Sequence, residues 1–312
     1  MPNSIRILEV GPRDGLQNEA GEVPVEAKVA LVEALAAAGL PEIEVGAFVN
    51  PKLVPQMAES AEVFRRMRRR EGVVYSALVP NRRGAEAAIE AGADLLSVFA
   101  SASESFSRRN TNASIAESLA RFEPVFEIAA GASRPVRAYV SCAFGCPDEG
   151  EVDPTRVASL ARELVDAGAS EIDVSDTIGV AVPRDVDRVL DAVGAEIDPS
   201  RIALHFHDTR GTAIANVMTA IDRGVTRFDS SCGGLGGCPF APGASGNLAT
   251  EDLLYVCARS GIETGASLAD VAAASSAIGE VLGRRLPSKA LAAVRSGVGN
   301  DQCRSEDGAA RR

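Results

Sequence analysis

The sequence predicts an α/β chain folded as a closed (β/α)8 TIM barrel with extra helices at its carboxyl end, and three observations carry that prediction. Short β-branched apolar runs alternate with longer Ala- and Leu-rich stretches along the 312 residues. Such alternation implies βαβ units and therefore a parallel sheet. There are about eight strand candidates over roughly 250 residues, the count and size of a closed barrel. The first strand also runs into "GPRDGLQNE" (11–19), not into the Gly-rich turn of an open dinucleotide-binding sheet.

In chain order the strand candidates are "IRILEVG" (5–11), "EIEVGAF" (42–48), "VVYSALV" (73–79), "LLSVFAS" (95–101), "VRAYVSC" (136–142), "EIDVSDT" (171–177), "IALHFHD" (202–208) and "RFDSSC" (227–232). Between them, "PVEAKVALVEALAAAG" (24–39) and "DPTRVASLARELVDAG" (153–168) open with Pro near the first turn and end on Gly, which is helix punctuation. After the last strand come the loop "GGLGGCPFAPGASGN" (233–247), a helix from about Asn247 and another over 267–282. The stretch 296–312 has no apolar periodicity. The expected organisation is one domain over 1–290 and a flexible tail over 291–312.

Composition narrows the function. With 46% hydrophobic and 24% charged residues the chain has the balance of an ordinary globular domain. A formal net charge of -11 argues against a nucleic-acid partner, whose footprint is basic. No apolar run approaches the roughly 20 residues that span a bilayer, so no membrane association is expected. The start "MPNSIRILEV" resembles neither a secretory signal nor a transit peptide, and six cysteines in so long a chain read as reduced thiols. A cytoplasmic protein is expected.

A barrel keeps its chemistry at the carboxyl ends of its strands. Here the first strand leads to Arg13, Asp14, Gln17 and Asn18, and the second carries Glu44. The fifth carries Tyr139 and Ser141, the sixth Asp176 and Thr177, and the seventh His205, His207 and Asp208. His205 and His207 are the only histidines in the chain, and on a strand their i, i+2 spacing puts both on one face. They read either as half of a divalent-metal site or as core histidines satisfied by hydrogen bonds. With Asp14 and the Asn247 carbonyl oxygen they form a mixed N/O set that suits Mg2+ or Mn2+ better than a structural zinc site. Arg13 and Asp14 read either as a salt bridge closing the mouth or as a metal ligand beside a cation placed to stabilise an enolate. Cys238 by itself reads as a small residue in a tight turn.

Six stretches, "VGPRDGLQNE" (10–19), "FVNPKLVPQM" (48–57), "SCAFGCPDEG" (141–150), "SDTIGV" (175–180), "HFHDTRGTAIAN" (205–216) and "GLGGCPFAPGASGNLATEDL" (234–253), resemble the 3-hydroxy-3-methylglutaryl-CoA lyase family. That family belongs to the TIM-barrel metal-dependent lyases, which also include the isopropylmalate and homocitrate synthases. The resemblance runs from about residue 5 to about residue 290. It implies retro-Claisen cleavage of a 3-hydroxyacyl-CoA, with hydroxymethylglutaryl-CoA giving acetyl-CoA and acetoacetate. It assigns Asp14, His205, His207 and Asn247 to a divalent metal, Mg2+ or Mn2+, and Arg13 to the enolate. Cys238 matches the loop cysteine proposed as the acid–base group. Glu44, Asp176 and Glu251 match acidic positions with supporting roles in proton transfer or orientation. Gln17 matches a residue beside the metal, and Tyr139, Ser141 and Thr177 join Arg13 and Gln17 as candidates for binding substrate. The glycine loop then reads as a lid. An acyl-CoA partner and a homodimer are expected.

Two departures leave the acyl group open. Arg210, Gly211 and Thr212 stand where the best-known members have Tyr-Gly-Gln, and Asp148 stands where an aromatic is familiar. A related acyl-CoA such as citramalyl-CoA is one alternative. Another is a condensing acyltransferase of the isopropylmalate or homocitrate synthase type, which commonly adds a regulatory region and lacks this loop. Lys52, Arg82, Arg83, Arg108 and Lys289 are candidates for the CoA phosphates.

Overall fold

The computed structural model describes residues 2–237 and 246–296. Eight parallel strands close in sequence order: β1 (Arg6–Glu9), β2 (Glu42–Ala47), β3 (Val74–Leu78), β4 (Leu95–Ser101), β5 (Val136–Ser141), β6 (Glu171–Asp176), β7 (Ile202–Phe206) and β8 (Arg227–Ser230). β8 pairs back on β1 in the register Leu8↔Asp229 and Glu9↔Ser230. Around the barrel run α1 (Val25–Ala37), α2 (Ser60–Arg66), α3 (Arg82–Glu90), α4 (Glu104–Thr111), α5 (Ile115–Gly131), α6 (Pro154–Asp166), α7 (Pro183–Glu196) and α8 (Ala213–Asp222). The chain continues through α9 (Thr250–Arg259), α10 (Leu268–Val281) and α11 (Lys289–Arg295). No helix among the described residues is long and apolar enough to cross a membrane.

Pairing across the barrel shows which face of each strand points inward. Arg137 on β5 donates to Asp229 on β8 at 3.1 Å, and Tyr139 on β5 donates to Glu44 on β2 at 3.4 Å. Neither pair of strands is adjacent, so these contacts cross the interior. Period-two alternation then sends Glu42, Glu44, Leu78, Phe99, Arg137, Tyr139, Ser141, Asp173, Ser175, His205 and Asp229 inward. The alternate residues, among them Ile43, Leu96, Ile172 and Phe228, are fully buried between strands and helices, in one core with Leu35 of α1 and Leu164 of α6. Each such side chain contributes about 1.5–3 kcal/mol by leaving water. The apolar core is thus the layer outside the barrel, while the interior is polar.

Element ends moved for identifiable reasons. β1 stops at Glu9 rather than residue 11, because the Val10 carbonyl collects the amides of Arg13, Asp14 and Gly15 at 3.1, 2.8 and 3.1 Å and winds Gly11–Gly15 into one π-helical turn. Pro12 in that turn has no N–H to give to a sheet. The helix expected from about Asn247 begins at Thr250, since Asn247 and Ala249 are first held in bridges to His207 and Ser231. At the other end, α11 crosses the expected boundary at 290. Ser288 caps it through the Leu291 amide, and Leu291 is buried, so residues up to Arg295 are helical rather than tail. Residues 297–312 lie outside the described residues.

Candidate active site

At the carboxyl ends of the strands a cavity of about 260 Å3 is lined by Arg13, Asp14, Gln17, Tyr139, Ser141, Thr177, His205 and His207 among the expected residues. The π-helical turn after β1 throws Arg13 and Asp14 over the barrel mouth. Arg13 Nε donates to buried Glu44, its Nη1 donates to Asp14 Oδ1 at 2.6 Å, and its guanidinium lies 5.6 Å from the Tyr139 ring centroid. Burial works against the Arg13 charge, but Glu44 and Asp14 outweigh it and hold the pKa above its ordinary value. Burial likewise opposes the Asp14 carboxylate, yet Arg13 and the two imidazoles prevail and bring it down to about 2. Asp14 is therefore an anion at every working pH, as a hard-cation ligand must be.

His205 and His207 face the cavity with ring centroids 5.2 Å apart. His205 Nδ1 lies 3.3 Å from Asp229 Oδ2, and Asp229 is itself held by Arg137. A carboxylate on Nδ1 fixes the tautomer that leaves Nε2 free to bind a cation. The strand after the glycine loop returns beside β7, with the Leu248 amide on the Phe206 carbonyl at 3.0 Å and the Asp208 amide on the Gly246 carbonyl at 2.7 Å. This sets Asn247 against Asp14, where its Nδ2 donates to Asp14 Oδ2 at 2.8 Å and to the Leu235 carbonyl at 3.0 Å.

The residues fit a divalent cation. Ligand atoms of Asp14, His205 and His207 lie within 4.8 Å of one another. Two neighbouring buried atoms, Asn247 Oδ1 and His207 Nδ1, have no hydrogen-bond partner among the described residues. Buried polar atoms without partners are costly, and a cation at this point would satisfy an oxygen and a ring nitrogen together.

Other expected residues are placed elsewhere. Asp176 has the outward parity of β6 and accepts the Val180 and Ala181 amides, both at 3.0 Å, so it shapes the β6–α7 loop from behind the cavity wall. Burial raises its pKa, partly offset by those two amides. Glu251, at the start of α9, takes the Gly233 amide on both carboxylate oxygens at 3.0 and 2.8 Å and does not line the cavity. Burial between barrel and helices raises it to about 7. Both stand outside the cavity lining, with their carboxylates on loop amides. Cys238, with the lid expected around it, lies outside the described residues.

Sequence reasoning missed Leu78, Phe99, Phe106, Asn110 and Ser175, which with Asn18 and Gly237 complete the lining, and Asp229 behind His205. Inward parity along "RFDSSC" was the available signal for Asp229. Phe106 and Asn110 sit on α4, announced only by Ser103, whose hydroxyl accepts the Phe106 amide as an N-cap. The departures from the familiar pattern fall outside the lining. Arg210 Nη1 donates to the Ile178 and Gly179 carbonyls, both at 2.9 Å, and Asp148 pairs with Arg109 at 2.5 Å. Among the CoA candidates, Arg82 pairs with Glu86 and Glu127, Arg108 with Glu104, and Lys289 with Asp208. Lys52 and Arg83 are exposed without an ion pair among the described residues.

Fold and site together define a (β/α)8-barrel protein whose mouth can hold a divalent cation beside a buried arginine. The family model described as HMGL-like matches residues 4–278, and the chain belongs to that family. It is 50% identical over 294 residues to a Pseudomonas aeruginosa 3-hydroxy-3-isohexenylglutaryl-CoA/hydroxymethylglutaryl-CoA lyase, covering 94% of this chain and 98% of the relative. Bos taurus mitochondrial hydroxymethylglutaryl-CoA lyase is 48% identical over 293 residues, covering 94% and 90%. The crystal structure of hydroxymethylglutaryl-CoA lyase from Pseudomonas aeruginosa superposes with a TM-score of 0.94 at 50% identity, covering 95% of this chain and 99% of the other.

Proposed function

We propose that the protein is a carbon–carbon lyase that cleaves (S)-3-hydroxy-3-methylglutaryl-CoA to acetyl-CoA and acetoacetate. The observation that carries the reading is the meeting of Asp14, His205, His207 and Asn247 beside Arg13 in one cavity. Near-full-length relatives that bear that activity in their names support it. A divalent cation, Mg2+ or Mn2+, held by those four residues would orient the substrate's hydroxyl and carboxylate and make the hydroxyl easier to deprotonate.

The chain's own residues carry the remainder. Loss of the C3 hydroxyl proton to solvent at the cavity mouth turns C3 into the ketone of acetoacetate, and the electron pair of the breaking C2–C3 bond passes into the thioester as an enolate. Arg13, fixed by Glu44, presents a permanent positive charge to that enolate oxygen. Gln17, Tyr139, Ser141 and Thr177 bind and orient the substrate along the wall. Cys238 delivers the proton that converts the enolate to acetyl-CoA. Asp176 and Glu251 orient the loops that frame the site. The protein works as a homodimer in the cytoplasm, with Lys52 and Arg83 available to the CoA phosphates.

A second reading concerns only the C3 substituent. Leu78, Phe99 and Phe106 give the cavity an apolar wall, and such a wall accepts a longer branch by the same chemistry. One experiment addresses both readings: Mg2+-supplied protein with a panel of 3-hydroxyacyl-CoA esters, products identified by mass spectrometry. Acetyl-CoA with a keto acid is the expected outcome, and no cleavage of any ester despite bound metal would sink the lyase reading. Cys238→Ser is expected to cripple turnover with metal content intact; near-normal turnover returns Cys238 to the role of turn filler.

A further inference from the structure

Outside the cavity, on the far side of the β1–β8 seam, one carboxylate gathers three separate stretches of chain. Glu9 ends β1, is fully buried and has outward parity, so it does not line the site. Its Oε1 accepts the Gly11 amide and the Cys232 amide, both at 2.8 Å, and its Oε2 accepts the Thr250 hydroxyl at 2.7 Å. Gly11 opens the turn that carries Arg13 and Asp14. Cys232 and Thr250 are the two stems of the segment that carries Cys238 and Asn247. The packing allows little play, since a side chain at Gly11 would meet Glu9 Oε1 at 2.6 Å and Cys232 Sγ at 2.7 Å. Thr250 is tied in turn to Ser230 of β8, with 2.8 Å between their hydroxyl oxygens.

We infer that Glu9 is a positioning residue that sets the spacing between the Arg13–Asp14 turn and both stems of the glycine loop, and so the geometry in which Asp14 and Asn247 meet. Its consequence for turnover rests on the lyase reading; its consequence for cation binding does not. The three anchors on this carboxylate would tolerate a change of charge, provided an oxygen stays in place to accept the two amides. Burial lifts the Glu9 carboxyl to about 8; when protonated on Oε2 it would donate to the Thr250 hydroxyl oxygen instead of accepting from it, as the Nε2 of a glutamine would, so an amide can stand in for it.

The test uses the full chain, with Mn2+ titrated by electron paramagnetic resonance and hydroxymethylglutaryl-CoA cleavage measured on the same preparations. Glu9→Ala is expected to weaken Mn2+ binding about 10–100-fold, the usual cost of losing a residue that orients metal ligands, and to lower kcat more than it raises KM. Glu9→Gln keeps the amide-accepting oxygen and is expected to bind Mn2+ within about threefold of wild type. Thr250→Val should weaken Mn2+ binding in the same direction as Glu9→Ala, and Thr250→Ser should restore it. A merely structural role would lower the melting temperature and leave the Mn2+ affinity of the folded protein unchanged. Unchanged Mn2+ affinity in folded Glu9→Ala overturns the inference; if that variant does not fold, unchanged affinity in Thr250→Val overturns it. A wild type that binds Mn2+ and cleaves nothing overturns the lyase reading and leaves the Glu9 test standing.

Discussion

Among the described residues two arginines, Arg13 and Arg137, are buried at the barrel, each set among carboxylates, and they differ in what surrounds them. Arg137 contacts Glu42, Glu171 and Asp229, and both its own side chain and those of Glu42 and Asp229 are at most 4% exposed. Arg13 contacts Glu44 and Asp14, lines a cavity, and has nearby Asn247 Oδ1 and His207 Nδ1, which lack a hydrogen-bond partner among the described residues. The residue types are nearly the same, so charge alone does not mark the site. What marks it is open volume beside polar atoms that find no partner among the described residues. Arg137 is an internal brace that reaches His205 only through Asp229, whereas Arg13 faces the space where substrate would lie.

The strongest test of that contrast is to neutralise each arginine. Arg13→Met is expected to lower kcat on the order of 1000-fold while KM changes little, because its charge is needed most as the enolate forms. Arg137→Met is expected to cost about 3–5 kcal/mol of stability by stranding buried carboxylates, with kcat of the folded fraction reduced far less. Denaturant melts beside steady-state kinetics separate the two, and equal kcat losses in both variants would break the distinction. Next in size is the cation. Chelation should abolish turnover, added Mn2+ or Mg2+ should restore it, and Asn247→Ala should weaken Mn2+ binding at least about tenfold by calorimetry.

A smaller effect concerns Glu9, whose pKa is raised from 4.5 to about 8 by burial. A raised folded-state pKa means that its contribution to stability is fully present below 4.5 and is lost as pH rises toward 8. Glu9→Gln cannot titrate, so its advantage over wild type should grow between about pH 5 and pH 8, by up to a few kcal/mol in urea melts. An advantage that shrinks over that window contradicts the assignment. The smallest effect is expected at Arg210, which grips two loop carbonyls rather than the cavity. Arg210→Gln should leave kcat/KM for hydroxymethylglutaryl-CoA within about twofold.

The sequence made the barrel legible because eight apolar runs spaced by helices leave few alternatives, and because His205 and His207 declare their common face by spacing alone. Arg13 and Asp14 stood out because strand ends are where a barrel keeps its chemistry, and Asn247 because it closes the loop after the last strand. What was not legible depends on direction rather than position. Asp176 and Thr177 are neighbours in the sequence, yet the pleat sends only Thr177 into the cavity. Asp229 was hidden by the opposite oversight, since its inward parity places it behind His205. Phe106 and Asn110 reach the site from a helix whose placement over the mouth depends on packing that a linear pattern does not record. Glu9 escaped because two of its three partners, the Cys232 amide and the Thr250 hydroxyl, lie more than 200 residues away.

Asn247 touches Asp14 across 233 residues of sequence. The pocket proposed for the cation is therefore written half at the beginning of the chain and half near its end. A polypeptide emerging from the ribosome has no such pocket until the eighth strand is made and the first has waited for it. Long-range closures of this kind are late and slow events in folding. A cation held there would consequently reward the finished barrel without guiding its assembly, and a chain stopped short of Asn247 would lack half of the proposed site.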